Sequence, residues 1–124
     1  MNDALRKLLG AMAVVFALTF LTGAVSHAWG LLGEPVIVPA TVVESACAAG
    51  LLVAGYGSLR GRVWGWNALI YAHAGALVGV LVGVLALALG PSEDTALNTW
   101  YHRVMAALLA LGLGGSFYIS RTDR

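Results

Sequence analysis

Four long apolar runs dominate the sequence, and they restrict the chain to a small set of folds. They cover residues from about 8–29, 36–59, 64–89 and 100–119. A helix needs about 20 mostly apolar residues to cross a bilayer, and each run has that length. The connections are short and contain Gly or Pro, so consecutive helices should lie side by side in opposite directions. The sequence therefore predicts an all-α membrane protein, a compact up-down-up-down four-transmembrane-helix bundle in which residues 1–124 form a single domain.

The overall composition indicates that lipid, and not water, surrounds the apolar surface of the protein. The chain has 124 residues, of which 60% are hydrophobic and only 10% are charged, and its mean hydropathy is +0.85. Soluble domains carry about 25% charged residues, and a short chain buries only about 60–70% of its surface. The net charge of +1 and the lack of a basic stripe argue against nucleic acid. We therefore expect the lipid bilayer as a partner, and no nucleic acid.

The distribution of positive charge predicts the orientation of the bundle. Six of the seven basic residues fall on one side of an up-down arrangement, and these are Arg6, Lys7, Arg60, Arg62, Arg121 and Arg124. The other side carries Glu34, Glu93 and Asp94, with Arg103 as its single cation. The positive-inside rule then predicts cytoplasmic N and C termini in a multi-pass protein of the cell membrane, either a plasma or an inner membrane.

The first apolar run has an alternative interpretation as a secretory signal. Arg6 and Lys7 precede it, and Ser26-His27-Ala28 fits a cleavage site with small residues. The run is about 20 residues long, whereas the apolar core of a signal has about 7–15 residues. This length favours a retained first span, and cleavage stays open as the alternative.

Small residues recur every four positions and predict how the helices pack. Gly75, Gly79 and Gly83 lie on one face of the third span, as in GxxxG-type helix contacts. Small residues follow the same spacing in the second span (Ala46, Gly50, Ala54) and in the fourth span (Ala106, Ala110, Gly114). Close backbone approach at these faces predicts a tight bundle, with either another helix of this chain or a second copy as the neighbour.

Glu44 is the most conspicuous polar residue, because ionisable groups within a membrane are costly and often functional. It lies eight residues after Val36, about 12 Å deep at 1.5 Å per residue. Arg103, His27 and His102 fall at comparable depth. We therefore expect an outward-facing polar pocket in which Glu44 pairs with Arg103. In the alternative, these residues form only a structural clasp or bind headgroups near the membrane surface.

A second polar spot is expected around His73 and Tyr71, in the third span. His73 lies eleven positions into a run that starts on the cytoplasmic side, so it belongs nearer the inner leaflet than Glu44 does. We expect these two residues to form an isolated pair, or His73 to bond a neighbouring backbone.

Three function classes are compatible with these residues. The chain contains no motif of a known catalytic centre, and an enzyme is the less favoured interpretation. The first class is an accessory or assembly subunit of a larger membrane complex, which would bind other membrane subunits. The second is a small transporter or ligand-binding protein that uses the Glu44 pocket. The third is a haem protein ligated by His27 and His102, although no cofactor is predicted outside this case and the question of a metal is left open.

Overall fold

The computed structural model describes residues 2–90 and 95–122, and these residues form four α-helices. The helices are α1 (Asn2–Trp29), α2 (Val38–Leu59), α3 (Gly65–Leu89) and α4 (Ala96–Thr122). Each is long and apolar enough to cross a membrane by its length and composition. The prediction of an all-helical chain with four such helices is confirmed. Glu93, Asp94 and Arg124, which the orientation prediction uses, lie outside the described residues.

The helices begin at positions that the apolar runs alone do not define. α1 starts six residues before its apolar run, where Asp3 pairs with Arg6 and Lys7 one turn further along the helix. Such pairs at spacings of three and four stabilise a first helical turn. α2 starts at Val38 and has Pro39 in its first turn, where the missing N–H of proline costs little.

Apolar side chains fill the centre of the bundle and also cover its surface. α1 presents residues at helical spacing to this core, among them Ala13, Phe16 and Phe20, which form one apolar cluster with residues of the three other helices such as Leu51 and Leu109. Many large apolar side chains are nevertheless exposed, and they are spread over all four helices. A surface of this kind is what a lipid environment tolerates and water does not.

Contacts between connections and helix termini define two ends of the bundle. At one end, which we call the basic end, the Ser58 hydroxyl donates a hydrogen bond to the Arg6 carbonyl over 2.8 Å. The Arg6 guanidinium also lies against Gly61, whose φ of +64° favours glycine. At the other end, which we call the Glu34 end, Thr95 donates a hydrogen bond to the buried Glu34 carboxylate. Thr95 also accepts one from the Asn98 N–H and so caps α4.

The three glycines of α3 have different surroundings. A Cβ at Gly79 would lie 3.1 Å from Val43 and 3.2 Å from Cys47 of α2. A Cβ at Gly83 would collide with the ring of His102 on α4, whereas one at Gly75 would meet nothing within 4 Å. The predicted packing face is therefore divided between α2, α4 and the open surface. Gly50 and Gly114 are open in the same way.

Candidate functional site

Glu44 occupies the interior of the bundle toward the Glu34 end. The residue is 6% exposed, and neither carboxylate oxygen has a hydrogen-bond partner among the described residues. α1 passes directly beside it at Gly23, where a Cβ would lie 2.6 Å from Glu44 Oε1 and 3.0 Å from the Tyr101 hydroxyl. Glycine at position 23 is thus what lets α1 approach this carboxylate.

His27 and Tyr101 complete a polar cluster with Glu44. The His27 Nε2 lies 3.9 Å from Glu44 Oε1, which is beyond hydrogen-bond distance. The Tyr101 hydroxyl faces the same carboxylate. Among the described residues, however, neither this hydroxyl nor His27 Nδ1 has a partner in hydrogen-bond geometry. The buried side chains of Glu44 and His27 and the hydroxyl of the half-buried Tyr101 therefore converge without bonding one another. A gap of this length is typical of a site where a water molecule or a ligand atom lies between the groups.

His102 follows Tyr101 on α4, and one hydrogen bond determines which of its ring nitrogens carries the proton. Its Nδ1 lies 2.9 Å from the Asn98 carbonyl oxygen. A carbonyl oxygen can only accept, so Nδ1 carries the proton, and in the neutral ring Nε2 holds a free lone pair. The ring packs against Gly83, where a Cβ would lie 2.6 Å from Nε2.

The polar side chains line a cavity of about 300 Å³ to which all four helices contribute. His27, Glu44, Tyr101 and His102 form its polar wall together with Asn98, and the rest of the lining is apolar. A second cavity of about 410 Å³ lies between α1 and α4 and shares His27, Asn98 and Tyr101 with the first. These three residues therefore form a wall between the two cavities.

The structure brings together three of the four residues predicted for the pocket. Glu44, His27 and His102 line one cavity, but Arg103 is exposed and lies outside its lining. The expected ion pair between Glu44 and Arg103 is not formed, and His27 is the basic residue near the carboxylate. Neighbouring residues on a helix point about 100° apart, so the rotation that turns His102 inward turns Arg103 outward.

His73 and Tyr71, the predicted second polar spot, do not lie together. His73 is fully buried, its Nδ1 donates to the Leu69 carbonyl over 2.7 Å, and its ring meets the Phe16 ring edge-on at 6.0 Å. Tyr71 is 75% exposed on another face of α3. His73 thus bonds a backbone carbonyl of its own helix, one turn earlier, and not a neighbouring helix.

Tyr101 and Gly23 are site residues that the sequence interpretation missed. The spacing of α4 contains a usable signal, because Tyr101 lies four positions before the buried Met105 and eight before the buried Leu109. That periodicity turns Tyr101 toward the interior. Gly23 gives no comparable signal, since it matters only through its neighbour on α2.

The fold and the cavity define a class of protein rather than a particular one. Within the described residues, four helices of membrane-spanning length line a cavity that contains a buried acidic residue and two histidines. No protein family, no curated protein and no solved structure matches the chain. Within residues 2–90 and 95–122, no three His, Cys, Asp or Glu side chains are grouped closely enough to hold a metal ion. Function must therefore be inferred from the cavity itself.

Proposed function

We propose that the chain is an up-down-up-down bundle in a cell membrane, with both termini in the cytoplasm and α1 retained. The clustering of Arg6, Arg60 and Arg62 at the basic end supports this orientation. The Glu34 end then faces outward. Cysteine introduced at Ser120 and, separately, at Ser92 tests it with an impermeant thiol reagent on intact cells, in a Cys47→Ala background. Labelling at 92 alone is expected, and labelling at 120 alone would contradict the orientation.

We further propose that this protein binds a small amphipathic ligand in the cavity beside Glu44, as a ligand-binding or small transport protein. The observation that carries this proposal is the buried Glu44 carboxylate, whose two oxygens lack partners where they face a cavity. Leaving a buried polar group unsatisfied costs about 1–3 kcal/mol. A ligand that bonds Glu44, His27 and Tyr101 removes the cost, and the apolar lining accommodates its hydrocarbon.

Thermal unfolding of the detergent-solubilised protein tests binding with three probes that share one hydrocarbon. These are phenylbutylamine, phenylbutanol and phenylbutyrate. At least one should raise the melting temperature of the wild type but not of Ala40→Trp, in which an indole fills the cavity. Equal responses of the two proteins to all three probes would contradict the proposal. An absorption spectrum with a Soret band would show instead that haem occupies the site between His27 and His102.

A second candidate function is the accessory or assembly role. The observation that favours it is the set of open glycines on three helices, Gly50, Gly75 and Gly114, against which another membrane helix fits closely. Co-purification after crosslinking in the membrane tests this role. A partner lost in Gly75→Leu but kept in Leu81→Ala, a change at another exposed position of α3, is the expected result. The same crosslinks in both variants would oppose it.

A further inference from the structure

The cavity beside Glu44 has an unbalanced set of charges. Glu44 is the only acidic residue in its lining, and no Lys or Arg lines it among the described residues. His27 is the nearest basic group, but it does not reach hydrogen-bond distance of the carboxylate. In an apolar environment an ionised carboxylate is stabilised by hydrogen-bond donors and by a cation, and the ammonium group of a ligand supplies both. The site therefore favours a ligand that brings positive charge.

The hydrogen-bonding groups of the wall also favour a ligand with donors. The two oxygens of an ionised Glu44 accept hydrogen bonds and cannot donate them. His102 adds another acceptor. Its Nδ1–H already donates a hydrogen bond to the Asn98 carbonyl, so Nε2 of the neutral ring keeps its lone pair. An ammonium group donates three hydrogen bonds and accepts none, so it matches the acceptors of Glu44 and His102 better than a carbonyl or a carboxylate does.

The remaining lining suits the hydrocarbon part of such a ligand. Phe20 and Tyr101 both face the cavity with their ring centroids 6.4 Å apart, and aromatic rings attract cations. Apolar side chains such as Val43, Val80 and Leu87 form most of the other walls. A volume of about 300 Å³ corresponds to roughly ten water molecules at about 30 Å³ each. This is the size of a phenyl ring that carries a short alkylamine.

Resting on the proposed ligand binding, we propose that the ligand is a lipophilic ammonium compound whose charged nitrogen binds the Glu44 carboxylate. The nitrogen lies between Glu44 and the rings of Phe20 and Tyr101, and it donates to His102 Nε2. The hydrocarbon occupies the apolar part of the cavity. No covalent step is involved.

Calorimetric titration of the purified protein with phenylbutylamine and phenylbutanol tests this class of ligand. The two probes have the same ring and chain, and only the amine is charged at neutral pH, as a lysine side chain is. The wild type should bind the amine at least tenfold more tightly, a difference of about 1.4 kcal/mol. Glu44→Gln should remove this preference, because the amine should lose more affinity than the alcohol does. Titrations into detergent alone are subtracted, because both probes enter micelles.

Glu34→Gln is the matched control, because Glu34 is also buried at the same end but lines only the second cavity. It should keep the preference for the amine. If the alcohol binds the wild type as tightly as the amine, and Ala40→Trp weakens both, the ammonium class is wrong and the ligand pocket stands. If neither of these probes binds and phenylbutyrate does not bind either, the proposed ligand binding is overturned as well. The comparison of the two probes on the wild type needs no variant, so it decides the question even if Glu44→Gln does not fold.

Discussion

His73 on α3 and His102 on α4 make nearly the same local contacts but belong to different parts of the molecule. Each donates from Nδ1 to the carbonyl four residues earlier, and each ring lies on a glycine of the other helix. The glycines are Gly112 for His73 and Gly83 for His102, so each helix carries a histidine followed by a glycine ten residues later. The two helices thus exchange equivalent contacts.

The surroundings of the rings separate a packing residue from a site residue. His73 is enclosed by apolar groups such as Phe16, and it lines neither of the two cavities. His102 lines the cavity that also contains Glu44 and Tyr101. A buried histidine is therefore not a functional residue on account of its burial alone. His102 differs because it lines a cavity together with Glu44 and Tyr101, whose polar atoms lack hydrogen-bond partners among the described residues.

The largest expected effect is on the packing side of this comparison. In Gly112→Leu, the new Cβ alone would lie 2.5 Å from the His73 ring, which is fully buried and hydrogen-bonded. The ring cannot retreat, so the free energy of unfolding should fall by about 3 kcal/mol or more. Chemical denaturation in detergent, followed by circular dichroism, measures it. A loss no larger than that of Gly114→Leu, at an open position of the same helix, would contradict the packing role.

Replacing each histidine by leucine in turn should separate an effect on ligand affinity from an effect on packing. His102→Leu removes an acceptor from the cavity, so the affinity for phenylbutylamine should fall about tenfold, or roughly 1.4 kcal/mol. His73→Leu should change that affinity by less than about twofold, or roughly 0.4 kcal/mol. Calorimetric dissociation constants give the answer. Equal losses in the two variants would show that the histidines do not differ as described.

Most of the fold could be predicted from the sequence, because it depends on the length and polarity of the helices. The depth of Glu44, His27 and His102 follows from counting residues at a fixed rise, and these three do line one cavity. Helix rotation does not follow from depth. Arg103 has the right depth but faces outward, and Tyr101 faces inward beside Glu44.

The partner of each glycine is equally hidden in the sequence. Gly75, Gly79 and Gly83 have identical spacing, yet one is open, one meets α2 and one meets His102 of α4. Which of them is covered depends on how α2 and α4 lie against α3. A repeat within a single helix contains no information about that placement.

A smaller effect is expected at Gly23, which adjoins the cavity. In Gly23→Ala the new methyl group would lie 2.6 Å from Glu44 Oε1, so the carboxylate must shift away. The affinity for phenylbutylamine should fall about threefold, or roughly 0.7 kcal/mol. Gly114→Ala, where a Cβ meets nothing within 4 Å, is the control and should leave the affinity unchanged. A wild-type affinity for phenylbutylamine in Gly23→Ala would show that the Glu44 carboxylate does not lie against position 23.

The smallest effect is expected at Gly75. Alanine is favoured over glycine within helices by roughly 0.5–1 kcal/mol, and the position is open. Gly75→Ala should therefore leave the free energy of unfolding unchanged or raise it by up to about 1 kcal/mol. Denaturation of the monomeric protein measures it. A clear loss of stability would mean that this part of α3 is packed within the chain.

Glu44 lies in a buried cluster with His27 and not in an ion pair with Arg103. Double-mutant cycles on the free energy of unfolding measure this difference, using Glu44→Gln with His27→Ala and, separately, Glu44→Gln with Arg103→Ala. Residues in contact couple by about 0.5–3 kcal/mol, whereas independent residues add within about 0.5 kcal/mol. We expect coupling in the first cycle and additivity in the second. Additivity with His27 together with coupling to Arg103 would contradict the cluster.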